Sequence, residues 1–268
     1  MRRTVSVTKP ALSTRAIKPG AGARALYLGS RERKRVTCTD EALVVTNQRA
    51  QTTRYPVARV ARVVSSADAV DWSGAALALC MRAGIGITWL DAKGEALGTI
   101  YPLQRQTTSF ATALELWLAR ADGQVRYQTW LRARRMDVLV RWGREHADTI
   151  TPQQWESTKR EWVYGRRFTC HLGAGLRALC LAYVGAQLAG YGVAPMQWGL
   201  TMQATNLDED LCELLWAEMN LTSGTLADKA DADAAITTLF ERWSSVNASA
   251  LTLHLASLHR MAMKEMHT

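Results

Sequence analysis

The sequence predicts an α+β protein, with a small N-terminal β-sheet domain followed by a larger all-α C-terminal domain. Three observations predict it. From Ala25 to Leu103, short β-branched runs stand between polar turns, and several alternate apolar with polar residues. After Pro102 that signal stops, and apolar residues recur at i, i+3, i+4 and i+7 instead. The chain has 268 residues, 48% of them hydrophobic, which is enough for one large or two modest domains with true cores and too apolar for wholesale disorder.

In order, ALYLG, RVTCTDEALVVTN and TTRYPVARVARVVSS read as strands. The period then changes in DWSGAALALCMRAG, where Ser73 is placed to cap a helix whose apolar face includes Leu77, Leu79 and Cys80, and Gly84 to end it. IGITWLD and ALGTIYPL are strands joined by an AKGE turn. TSFATALELWLARA, VRYQTWLRARRMDVLVRWGRE and PQQWESTKREWVYG read as helices. In the next helix Leu176, Leu179, Cys180, Tyr183, Val184 and Leu188 form one buried stripe. A helix from about Leu207 and two more, DADAAITTLFERWSS and SALTLHLASLHRMAMKEM, follow it. The expected division is a basic arm over 1–24, a β domain over 25–105 and an α-helical domain over 106–268.

The formal net charge is +9, which points to an anionic partner, nucleic acid being the commonest, or to a solvated basic surface. The five cysteines form no CxxC pair and no zinc spacing, as expected of buried thiols in a reducing compartment. No apolar run approaches the roughly 18 to 20 residues of a membrane span, and the N-terminal arm lacks an apolar signal core. The expected location is the cytoplasm. No Gly-rich phosphate loop or nucleophile motif argues for a small-molecule enzyme.

The candidate chemistry lies in LDEDLCELLW. Asp210 and Glu213 share one helix face at the margin of a stripe made by Leu207, Leu211, Leu214, Leu215 and Met219. Two carboxylates at a groove edge suit Mg²⁺ or Mn²⁺, which take oxygen ligands and leave positions for phosphate oxygens and water. An acidic pair on a helix rim is also what an ordinary solvated helix shows. Glu156, in WESTKREW, is a possible third acid. Lys159, Arg160, Arg166 and Arg167 nearby are candidate phosphate contacts, and Trp155 and Trp162 can pack or stack.

Three stretches of the β region, ALYLGS, LVVTNQRAQTTRYPVARVARVV and DWSGAALALCMRAGIGITWLDAKGEALGTIYP, resemble the CRISPR-associated integrase family (CRISPR-associated protein 1, the adaptation endonuclease). LRALCLAYVGAQLAGYGVAPMQWGL resembles that family's long helix and following turn, and LDEDLCELLW its last acidic motif. The resemblance implies a metal-dependent DNA integrase that inserts spacer DNA into a repeat array, or a catalytically impaired member that binds DNA as a structural subunit. It implies Glu156, Asp210 and Glu213 as catalytic and metal-binding residues, a homodimer formed through the β domains, and the small CRISPR-associated protein 2 adaptor as partner. The family's metal-binding His falls on Met202, whose thioether is a poor ligand for hard ions.

Overall fold

The computed structural model describes residues 22–29, 32–102, 108–145, 147–164, 174–198, 204–222 and 233–266. It opens with β1 (Arg24–Leu28), β2 (Lys34–Cys38), β3 (Ala42–Asn47), β4 (Thr52–Pro56), β5 (Val60–Ser66) and β6 (Val70–Trp72), then α1 (Gly74–Ala83), β7 (Gly86–Leu90) and β8 (Ala96–Ile100). These strands make two four-stranded sheets, ordered β1-β5-β7-β8 and β4-β3-β2-β6. In the first, β1, β5 and β7 are parallel and β8 is antiparallel to β7. In the second, β2, β3 and β4 form an antiparallel meander with β6 parallel to β2.

Two of the turns use the same device. Asn47 Oδ1 accepts hydrogen bonds from the backbone N–H of Arg49 and Gln51, and Asp91 Oδ1 from those of Lys93 and Glu95. Each carboxamide or carboxylate thereby folds its own chain back into the next strand. As read from the sequence, Ser73 caps α1 by accepting from the Ala76 N–H at 3.2 Å, and Gly84 ends it at φ 76°, the left-handed region glycine favours. The buried face of α1 is Ala76, Leu79, Cys80 and Ala83, however, and Leu77 lies only partly covered beside it. Asp71 and Trp72, which the sequence reading ran together with the helix, belong to β6. There the Trp72 indole N–H donates to Ser65 Oγ at 3.1 Å.

The remaining elements are α2 (Ser109–Leu118), α3 (Gly123–Glu145), α4 (Pro152–Thr158) continued by a π-helical turn (Lys159–Tyr164), α5 (Ala174–Gly190), β9 (Met196–Trp198), β10 (Ala204–Asn206), α6 (Leu207–Thr222), α7 (Asp233–Val246) and α8 (Ala248–Met266). β9 and β10 pair as a short antiparallel hairpin, so the strand signal does not end at Pro102 as expected. The pairs are only three residues deep, too short for alternation to show in the sequence. No helix among the described residues is long and apolar enough to cross a membrane.

Strand β5 explains how the halves join. The core between the two sheets and α1 takes Leu26, Leu28 and Val63, whereas Tyr27 and Val64 face the helical core. Six of the seven β5 residues are buried, because α5 lies across β5 and β7 on the opposite face. A strand covered on both sides buries its polar residues too, and Arg62, Ser65 and Ser66 are all enclosed along with the valines. Helix α5 is enclosed in turn. Beyond the expected stripe, Ala178, Leu181 and Ala182 are buried too, because the sheet covers one side and α6 and α7 the other. At this junction Arg62, only 6% exposed, sets Nη2 2.5 Å from Glu241 Oε1, and its guanidinium lies over the rings of Tyr183 and Phe240 at 5.2 and 5.8 Å. The Tyr27 hydroxyl donates to the same Glu241 carboxylate.

Candidate nucleic-acid and metal site

Helix α6 buries Leu207, Leu211, Leu214, Leu215 and Met219, as its periodicity requires, which sets Asp210 and Glu213 on the rim facing α3. Along α3, Tyr127, Leu131, Arg135, Val138 and Leu139 are buried on one stripe. A guanidinium among these apolar positions demands a carboxylate opposite it, since burying it alone would be prohibitively costly. That partner is Glu213, whose Oε2 accepts from Arg135 Nη2 at 2.6 Å.

The pair is one rung of a polar ladder between helices that run in the same direction. Gln124 Nε2 donates to Thr205 Oγ1, the Tyr127 hydroxyl to Asp210 Oδ2 at 2.8 Å, Arg135 to Glu213, and Arg141 Nη2 to Glu218 Oε1 at 2.7 Å. His254 Nε2, from α8, lies 2.9 Å from the same Glu218 oxygen. Burial pushes the Asp210 carboxyl up from 3.8 to about 6; the Tyr127 hydrogen bond and the Arg135 charge pull against it, and neighbouring Glu213 adds to it. Burial also raises the Tyr127 hydroxyl, well above its ordinary range. At Glu218 burial acts upward too, but His254 and Arg141 outweigh it and hold the carboxyl below its ordinary value.

The other sequence candidates lie elsewhere or beyond the described residues. Glu156 stands on α4 with its side chain 60% exposed, paired with Lys159 Nζ at 3.3 Å. Arg160 is exposed on the π-helical turn, Trp155 is partly buried against the helical core, and Trp162 is inside it. Arg166, Arg167 and Met202 fall outside the described residues. Among the described residues no three His, Cys, Asp or Glu side chains gather closely enough to hold a metal ion.

The donor set can be tested against a Mg²⁺-like ion, which requires a near-octahedral shell of oxygens at about 2.0–2.1 Å. Asp210 and Glu213 offer two carboxylates, but one oxygen of each already accepts from Tyr127 or Arg135, and a positive charge sits beside the pair. As arranged here, these residues do not fit the ion. Tyr127, Arg135, Arg141, Glu218 and His254 were not picked out from the sequence. The signal that could have found Arg135 was its place on the Tyr127–Leu131–Val138 stripe.

The fold can be compared with those of known proteins. The chain matches a Cas1 protein from Thermotoga maritima with a TM-score of 0.68 at 14% identity, over 89% of this chain and 96% of that one. It matches TtCas1 in a complex with DNA at 0.59 and 14% identity (88% and 90% covered). A casposase bound to integration product matches at 0.53 and 11% identity, with 82% of both chains covered. Residues 26–131 match the family model described as CRISPR associated protein Cas1. The resemblance read from the sequence agrees with both findings: the family model covers the stretch from β1 into α3, and the Cas1 fold extends over most of the chain. No curated protein matches the sequence.

Proposed function

We propose that this chain acts on DNA as a CRISPR-type integrase, inserting spacer DNA into a repeat array. The observation that carries this reading is the Cas1 fold spanning both the sheet region and the helices that set Asp210 and Glu213 side by side. The Mg²⁺ or Mn²⁺ that the resemblance implies would be held by Asp210 and Glu213, with Glu156 brought to them, only after Tyr127 and Arg135 release the carboxylates. A second reading, a catalytically impaired subunit that binds DNA, is favoured by those two hydrogen bonds and by Met202 in the position of the family's His. The discriminating experiment offers a labelled DNA 3′ end and a repeat duplex in Mn²⁺. Joined product that disappears in Asp210→Ala supports the integrase; binding without joining supports the structural subunit. A chain that does not bind DNA sinks both.

DNA binding is expected to be strong, tolerant of sequence and steeply salt-dependent. Exposed Arg132 and Arg144 on α3 and Arg160 on the π-helical turn supplement the basic segments around Arg33 and Arg166. Each phosphate neutralised on duplex DNA adds about 0.9 to the slope of log affinity against log salt. An affinity unchanged between low and high salt would contradict the reading.

The chain is also proposed to form a homodimer and to work with the CRISPR-associated protein 2 adaptor, both as the resemblance implies. The surface open to a second copy is the outer face of the β4-β3-β2-β6 sheet. It carries Arg35, Thr37, Val44, Thr46 and Arg54, with no helix of the described chain laid over it. Light scattering is expected to give twice the 29.7 kDa chain mass, and the single-chain value would count against the dimer.

A further inference from the structure

We infer that Arg135 is itself the cation of the acidic pair, and that its charge closes Asp210 and Glu213 to a divalent ion until it withdraws. The inference rests on reading these acids as the family's pair, and it concerns what holds them in this chain. Three features carry it. First, Arg135 is fixed: its side chain is only 10% exposed, on a 23-residue helix, within the same buried stripe as Tyr127 and Leu131. Little of it reaches water, so its charge is screened less than a surface arginine's. Second, the bond to Glu213 is a short charge-assisted one, and Tyr127, fully enclosed, holds Asp210 from the same helix one rung earlier. Third, the Arg135 charge acts on Asp210 as well as on Glu213, so one guanidinium serves both carboxylates.

A divalent ion entering between these acids would meet a positive charge already within hydrogen-bonding distance of one of them. In a partly desolvated site that repulsion is far stronger than in water. The ladder therefore ties the donors of α3 to the carboxylates of α6 without an ion from solution. Metal affinity becomes a property of Arg135 rather than of the acids alone.

The test uses the full chain without DNA and Mn²⁺ alone as the probe, followed by loss of the free-ion electron paramagnetic resonance signal. Wild type is expected to show no saturable site at micromolar Mn²⁺. Arg135→Met, which keeps the volume and removes the charge, is expected to bind one ion at least about tenfold more tightly. Adding Glu213→Gln should abolish the gain, and Arg135→Lys should behave as wild type. A wild-type protein that binds Mn²⁺ as tightly as Arg135→Met would overturn the inference, as would an Arg135→Met protein that gains nothing.

Should Arg135→Met not fold, as its circular dichroism would show, wild type still decides the matter by nuclear magnetic resonance. Stoichiometric Mn²⁺ should leave signals from Tyr127 and Arg135 sharp, and their paramagnetic broadening refutes the closed site. The outcomes separate from those of the integrase reading. A chain without strand transfer whose Arg135→Met variant gains the ion sinks only the integrase. A chain that joins DNA in Mn²⁺ while that variant gains nothing sinks only this inference.

Discussion

Glu218→Ala is expected to lower the stability of the folded chain by about 2–4 kcal/mol at pH 7, because it removes the acceptor shared by a buried imidazole and a guanidinium. The Glu218 and His254 side chains are each 6% exposed, whereas Arg141 is half exposed and can regain water. Most of the loss therefore comes from His254, left without its carboxylate. In a chain of this size the melting temperature should fall by roughly 5–10 °C. The pH dependence has a definite sign. The folded state holds the Glu218 carboxyl below its ordinary 4.5, so its contribution is complete above 4.5 and is lost as the pH falls through the lower folded value. The groups facing it, His254 from α8 and Arg141 from α3, are the source of that contribution. Urea titrations of wild type and Glu218→Gln should therefore diverge at pH 7 and draw together as the pH falls through the folded-state titration, below 4.5. A constant gap across that range would show that Glu218 acts through packing alone.

Asp210→Asn should do the opposite and stabilise the protein at pH 8. Burial holds the folded-state carboxyl near 6 against an ordinary 3.8, a difference worth about 3 kcal/mol. Because the folded value is the higher one, its contribution is fully present below 3.8 and is lost as the pH rises through about 6. Above that, the ionised carboxylate costs stability. An asparagine oxygen still accepts the Tyr127 hydroxyl while removing the charge, so a gain of about 2–3 kcal/mol is expected at pH 8, shrinking to nothing near pH 4. Loss of stability in Asp210→Asn at pH 8 would show that Arg135 and Tyr127 already compensate the charge. A carboxylate that weakens the fold at neutral pH is what sites of binding or chemistry carry.

The parts of this molecule that were readable in advance are those governed by local rules. Ser73 and Gly84 bound α1 because a cap and a left-handed terminus need particular residues at particular positions. The rim position of Asp210 and Glu213 follows from the leucine period of α6. What was not readable depends on which surfaces meet. Arg135 looked like one more arginine in a basic helix until Glu213 was set against it. Helix α5 looked one-sided because its small residues, Ala178 and Ala182, gave no hint of a sheet above them. Glu156 shares a plausible motif with the acids of α6, yet motif spacing does not fix where α4 stands relative to that helix.

The arginine of β5 has a mechanical consequence. Parting the sheet from the helical half would strip Glu241 from Arg62, hydrate a guanidinium now sheltered by two aromatic rings, and expose Val64 and Tyr27. No intermediate with one half intact and the other loosened escapes those costs. The two halves therefore behave as one cooperative unit, and a tilt of α5 or α7 is felt directly by the sheet. A displacement of the helices is thus passed to the sheet through this joint.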